Sequence, residues 1–146
     1  MKRRKPLVIG ILAILLLVSL PFSTFPSIEE AQRRIAERLA IYIDLGYHFR
    51  TNYQQGFLEK GKSAYITLQL YKGNTYIFVA GGSKAANDLG IKVYDENFSL
   101  VLDDNNKMNY SEARLQASRS GTYRVKITLN GCTGKGAHWC YITGYK

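Results

Sequence analysis

Two cysteines, two histidines and a scatter of loop carboxylates are the residues of this chain whose chemistry extends beyond packing. Cys132 and Cys140 bracket the segment CTGKGAHWC. In an exported chain, two cysteines across a short glycine-containing loop read most simply as one disulfide closing a hairpin. Closing so short a loop is worth roughly 2–3 kcal/mol by the chain-entropy account, which makes it a staple rather than a mechanism. The other chemistry open to this pair is zinc ligation, with His138 and His48 completing a tetrahedral set, although structural zinc sites ordinarily show tighter paired spacings.

Asp88, Asp95, Asp103 and Asp104, helped by Asn87, Asn105 and Asn106, place hard oxygen ligands on loops at both ends of adjacent predicted strands, a supply that would suit calcium. The same residues are the ordinary material of turns, and no D-x-D-x-D-G loop organises them. No other cofactor is implied. Acid–base or nucleophilic catalysis needs partner groups within hydrogen-bonding reach. The sequence has no G-x-S-x-G elbow, no H-E-x-x-H helix and no G-x-x-x-x-G-K-[ST] loop, so a non-enzymatic chain is expected.

The elements that would position these residues fall into three parts. Lys2, Arg3, Arg4 and Lys5 precede an unbroken apolar run over residues 7–20 that ends at Pro21, the pattern of an export signal. Because no charge occurs over residues 6–27, the same segment also approaches the length of an inner-membrane anchor. Residues 1–26 are therefore expected to be a signal peptide or anchor helix, with the remainder exported to the periplasm or beyond. Ser27-Ile28-Glu29-Glu30 reads as a capping box, and Ile28, Ala31, Ile35, Leu39, Tyr42 and Ile43 recur at helical spacing before Gly46. An amphipathic helix is predicted over residues 27–46, with Arg33, Arg34 and Arg38 on its polar side.

From about Tyr65 the apolar period becomes two. Ile66/Leu68/Leu70, Tyr76/Phe78/Ala80, Leu89/Ile91/Val93, Phe98/Leu100/Leu102, Ala113/Leu115/Ala117, Tyr123/Val125/Ile127/Leu129 and Trp139/Tyr141/Thr143 each alternate. Glycine, asparagine and aspartate turns separate them. So many short strands with no helical pattern between them predict a mainly β, antiparallel β-sandwich of jelly-roll or Ig-like type over residues 47–146.

The lines YITLQLYKGNTYIFVAGG, NDLGIKVYDENFSLVLDDN and ARLQASRSGTYRVKITL, within residues 65–129, resemble the bacterial pre-peptidase C-terminal domain. The resemblance lies in the order of a glycine-turned hairpin, an Asp-Leu-x-Ile-x-Val-Tyr-Asp strand and a Ser-Gly-Thr-Tyr-Arg-Val opening. It implies a secreted β-sandwich that serves a hydrolase as an accessory or binding module, with relatives that bind collagen with calcium. Asp88 is then the position to carry a metal, since it precedes the Leu-x-Ile-x-Val strand as an acid does in that family. With no catalytic domain beside it, the inference becomes a freestanding binding module.

The formal charge of +9 is inflated by the leader, which holds four of the twenty basic residues. The rest are dispersed, and no basic run interleaved with aromatics marks a nucleic-acid footprint. Eleven tyrosines are many, and Tyr42, Tyr47, Phe49, Tyr53 and Phe57 gather between helix and first strand, suited to an interface or to strand packing. The expected function is an exported bacterial binding module for a protein or glycan. The alternatives are a membrane-tethered assembly component acting through its helix and, third, a hydrolase built on His48 or His138 beside an acid.

Overall fold

The computed structural model describes residues 27–50 and 53–146, so the leader expectations lie outside the described residues. Among the described residues no helix is long and apolar enough to cross a membrane. The described residues form a helix, α1 (Ile28–Asp44), and nine strands: β1 (His48–Phe49), β2 (Gln54–Glu59), β3 (Ser63–Leu70), β4 (Thr75–Gly82), β5 (Ala86–Tyr94), β6 (Leu100–Asp104), β7 (Tyr110–Gln116), β8 (Gly121–Cys132) and β9 (Gly136–Tyr145).

All pairings are antiparallel, and they make two sheets packed as a sandwich. One has the order β1-β9-β4-β7, with β2 also paired to β9. The other has the order β3-β8-β5-β6. The alternating residues meet between them, where Phe78, Leu89, Ile91, Val93, Val125 and Ile127 are fully buried. Burying side chains of this size is worth about 1.5–3 kcal/mol each, which makes this cluster the main source of stability.

The first sheet is covered on its other face as well. α1 lies across β4 and β9, so Ala31, Ile35, Tyr42 and Tyr47 pack on Ile77, Val79, Cys140 and Ile142 in a second cluster. That cover explains the uninterrupted apolar run of β4, since a strand buried on both faces loses its alternation. The helix can sit so close because Gly81 lies beneath it: a Cβ there would meet Ile35 Cγ1 at 3.1 Å and the Ala31 carbonyl at 3.2 Å.

Several local expectations are revised. Ser27 occupies the N-cap in extended geometry but makes no side-chain cap bond. Glu30, instead of reaching back, accepts from the Lys84 backbone N–H at 2.7 Å and ties the helix to the turn after β4. Ile43 falls on the far side of the helix and is 59% exposed. Phe98 does not join the β6 alternation; it sits in the preceding turn at φ 60°, and Leu100 points outward. β8 and β9 are not a paired hairpin, because the chain changes sheets over residues 133–135.

Candidate functional site

The sheet change separates the two cysteines. Cys132 ends β8 and packs against the core between the sheets, whereas Cys140 on β9 points into the cluster under α1. Both are free thiols, so the expected disulfide is not formed in this structure: Cys132 faces the space between the sheets, and Cys140 faces the opposite side of the first sheet, toward α1. Cys140 Sγ lies near Gln55 Oε1 (3.8 Å) and Cys132 Sγ near the Gly134 carbonyl (3.6 Å). Burial pushes the Cys140 thiol up to about 11, so it is a poor nucleophile and a poor metal ligand at neutral pH.

The four candidate calcium ligands do not converge. Asp88 and Asp95 lie at opposite ends of β5, about 20 Å apart at the rise of an extended strand. Asp95 builds a turn: its Oδ1 accepts from the Asn97 and Ser99 backbone N–H groups at 2.9 Å each. Asp104 spans the sheets, accepting from Ser111 Oγ (2.5 Å) and the Glu112 N–H (3.1 Å). Asp88 accepts from Asn130 Nδ2 at 3.2 Å, and Asp103 faces Lys92 Nζ at 3.4 Å. Asp88, Asp103 and Asp104 do border one cleft of about 270 Å³, but Lys92 and Lys107 share it. No group of three or more His, Cys, Asp or Glu side chains among the described residues is placed to hold a metal ion.

The histidines are equally separate. His48 pairs with Tyr145 and His138 with Phe57, seven positions apart along β9, again about 20 Å. His48 is exposed, and His138 stacks edge-on against Phe57 at 5.2 Å with its Nδ1 buried and unpartnered. None of the ion pairs among the described residues includes either imidazole. Neither the zinc set nor the acid–histidine pair of the hydrolase reading is assembled.

The aromatic cluster divides in two. Tyr42 and Tyr47 are core, meeting edge to face at 5.6 Å under the helix, while Tyr53 and Phe57 stay exposed. Tyr53 borders an apolar groove of about 230 Å³ beside α1, with Ile35, Leu39, Cys140 and Ile142. The loop before β8 is tied down, the Lys72 N–H donating to Ser120 Oγ (2.9 Å) and the Tyr123 hydroxyl to the Arg119 carbonyl (3.0 Å).

A further group of charged and aromatic side chains lies on the outer face of the β3-β8-β5-β6 sheet, where sequence reading placed no site. Directly paired residues share a face, so the register defines two rows across it. One runs Tyr65, Lys126, Lys92, Asp103; the next runs Thr67, Arg124, Tyr94, Leu100. Phe98, presented by the Asp95 turn, covers the Arg124 guanidinium at 4.0 Å, and Lys126 Nζ stands 5.8 Å from the centre of the Tyr65 ring. A shallow cavity of about 190 Å³ opens among these side chains. The signal that would have found it was the pairing register, which no single strand displays.

No family model matches the chain, and no curated protein matches it in sequence. The resemblance to the pre-peptidase C-terminal domain thus stands only as far as a β-sandwich. Among solved structures, the fold is similar to that of PliG of Aeromonas hydrophila, a periplasmic lysozyme inhibitor of g-type lysozyme, with a TM-score of 0.52 and 14% identity over 70% of this chain and 90% of that one.

Proposed function

We propose that this chain is a non-catalytic binding protein of the bacterial cell envelope whose partner is another protein, a lysozyme being the first to test. What carries the reading is the architecture: a sandwich with its conspicuous surface on a sheet face rather than in a cleft, in a fold similar to that of a periplasmic inhibitor across nine-tenths of that inhibitor's length. Aromatic-rich, shallow faces suit protein partners, whereas small substrates are taken in deeper concave sites. The charged, then apolar N-terminus supports a location outside the cytoplasm.

The assembly-component alternative, acting through α1, has less support. Arg34 Nε donates to the Gly82 carbonyl at 2.8 Å and Arg38 pairs with Glu112, so two of the three arginines on the helix serve its own docking.

The test is to express the full chain in a bacterial host, recover it from the fraction it reaches, and titrate it into g-type lysozyme digesting a cell-wall suspension. Stoichiometric loss of lytic activity, with a complex on gel filtration, is the expected result. Undiminished lysis and no complex at micromolar concentrations would remove lysozyme as the partner.

A further inference from the structure

Three observations on the outer face of the β3-β8-β5-β6 sheet point to the chemistry of what it binds. First, Lys92 and Lys126 stand directly opposite each other on β5 and β8. Like charges in directly opposed positions destabilise a sheet, and Asp103, at one end of the row, pairs with Lys92 and not with Lys126. Second, Arg124 Nη1 is buried beneath Phe98 with no hydrogen-bond partner. An unmet charged donor is costly, and the cost is removed by an acceptor that reaches the guanidinium when the Phe98 ring moves aside. Third, that cover is itself held at the surface against its conformational preference: Phe98 is 67% exposed and adopts φ 60°, a left-handed conformation bulky residues seldom take. Local violations of this kind gather where function requires them.

We propose that this face is the docking surface for an acidic protein segment, whose carboxylates pair with Arg124 and Lys126 while its apolar atoms pack on Tyr65 and Phe98. The inference rests on the binding-protein reading above and names the surface and the partner chemistry. Two sets of features favour a polypeptide over a sugar polymer. Tyrosine and arginine are the residues that dominate protein hot spots. The face also continues onto exposed Leu100 and Val101 of β6, extending the apolar contact well beyond the cavity.

The experiment uses the full chain, the double variant Arg124→Gln/Lys126→Gln, and a control, Arg33→Gln, on the exposed side of α1. Each is titrated with fluorescent poly-L-glutamate and with a polyuronate of matched length, and each is run in the lysozyme assay. Wild type and control should bind poly-L-glutamate, with the affinity falling as salt rises. The double variant should bind it about tenfold or more weakly, the scale of hot-spot loss. Equal binding by all three proteins, no binding by wild type, or polyuronate binding as tight as poly-L-glutamate would overturn the assignment. The lysozyme arm separates the two claims. Inhibition that survives in the double variant overturns this face but leaves the binding-protein reading standing. Failure of wild type to inhibit, with the poly-L-glutamate pattern intact, removes lysozyme and supports the face.

Discussion

The Tyr42 hydroxyl on α1 donates to a carboxylate oxygen of Glu112 on β7 at 2.7 Å, and the Arg38 guanidinium pairs with the same carboxylate. One acid on the edge strand thereby holds two side chains of the helix. The ion pair raises the Arg38 guanidinium further. Burial, then the hydrogen bond to Glu112, pushes the Tyr42 phenol up to about 12.

Glu112→Ala should therefore leave a cation and a half-buried hydroxyl unmatched, costing about 1–3 kcal/mol. Urea denaturation followed at a helix-sensitive wavelength would measure it. If the unfolding midpoint does not move, the clamp contributes nothing.

The same contact predicts an alkaline loss of stability. Tyr42 has a folded pKa above its unfolded value near 10, so between about pH 10 and 12 the unfolded chain binds fewer protons than the folded one and stability falls as pH rises. Tyr141, buried between the sheets, is shifted in the same direction and adds to the slope. Below pH 10 both contributions are fully present. Melting temperatures taken from pH 8 to 11.5 should decline in wild type and decline less steeply in Tyr42→Phe. Parallel curves for the two proteins would exclude Tyr42 as a source of the slope.

Thiol accessibility should follow the two faces. In the native protein an alkylating reagent should modify Cys132, which is half-buried, well before Cys140; in denaturant both should react. Intact mass should be the same before and after reduction. A two-hydrogen difference would mean that the oxidised protein arranges β8 and β9 differently from the fold described here.

Much of this architecture can be read in the chain, and the unread parts have specific causes. Tyr123, Val125, Ile127 and Leu129 alternate because β8 has core on one face and solvent on the other, so periodicity reports it directly. β2 is hidden because its sequence QQGFLE has no alternating pattern, buries only Leu58 and takes its place from pairing with β9. The length of the turn that begins at Asp95, which runs on through Phe98, is hidden for another reason. Phe98, Leu100 and Leu102 have the spacing of a strand, and the turn closed by the hydrogen bonds to Asp95 Oδ1 and by the Phe98 N–H donating to the Asp95 carbonyl at 3.1 Å lifts Phe98 out of it. The sheet change after Cys132 is a long-range choice, so the cysteine spacing suggested a hairpin that the fold does not contain.

Gly136 shows how tightly β2 docks on β9. A Cβ there would strike the Leu58 carbonyl oxygen and meet the Phe57 ring at 2.7 Å. Gly134, two residues earlier, has φ 75° and open space around it. Gly136→Ala should thus destabilise by roughly 1–3 kcal/mol through overpacking, or more if the backbone cannot shift. Gly134→Ala should cost about 1–2 kcal/mol, the left-handed backbone penalty alone. The variants differ further in hydrogen exchange: Gly136→Ala should expose the β2 amides, and Gly134→Ala should not. Equal protection of β2 in both would contradict the docking described.

Phe98 separates stability from binding. Its φ of 60° is readily taken by asparagine, so Phe98→Asn should recover about 1 kcal/mol of backbone strain. Against this stands the loss of the ring over Arg124, about 0.5–1 kcal/mol for a cation–π contact at a surface site. The two nearly cancel, so the variant should unfold at a urea concentration equal to or slightly above that of wild type while binding poly-L-glutamate more weakly. A drop of well over about 1 kcal/mol, beyond what the cation–π contact supplies, would mean that the ring is held there to seal the sheet and not to meet a partner.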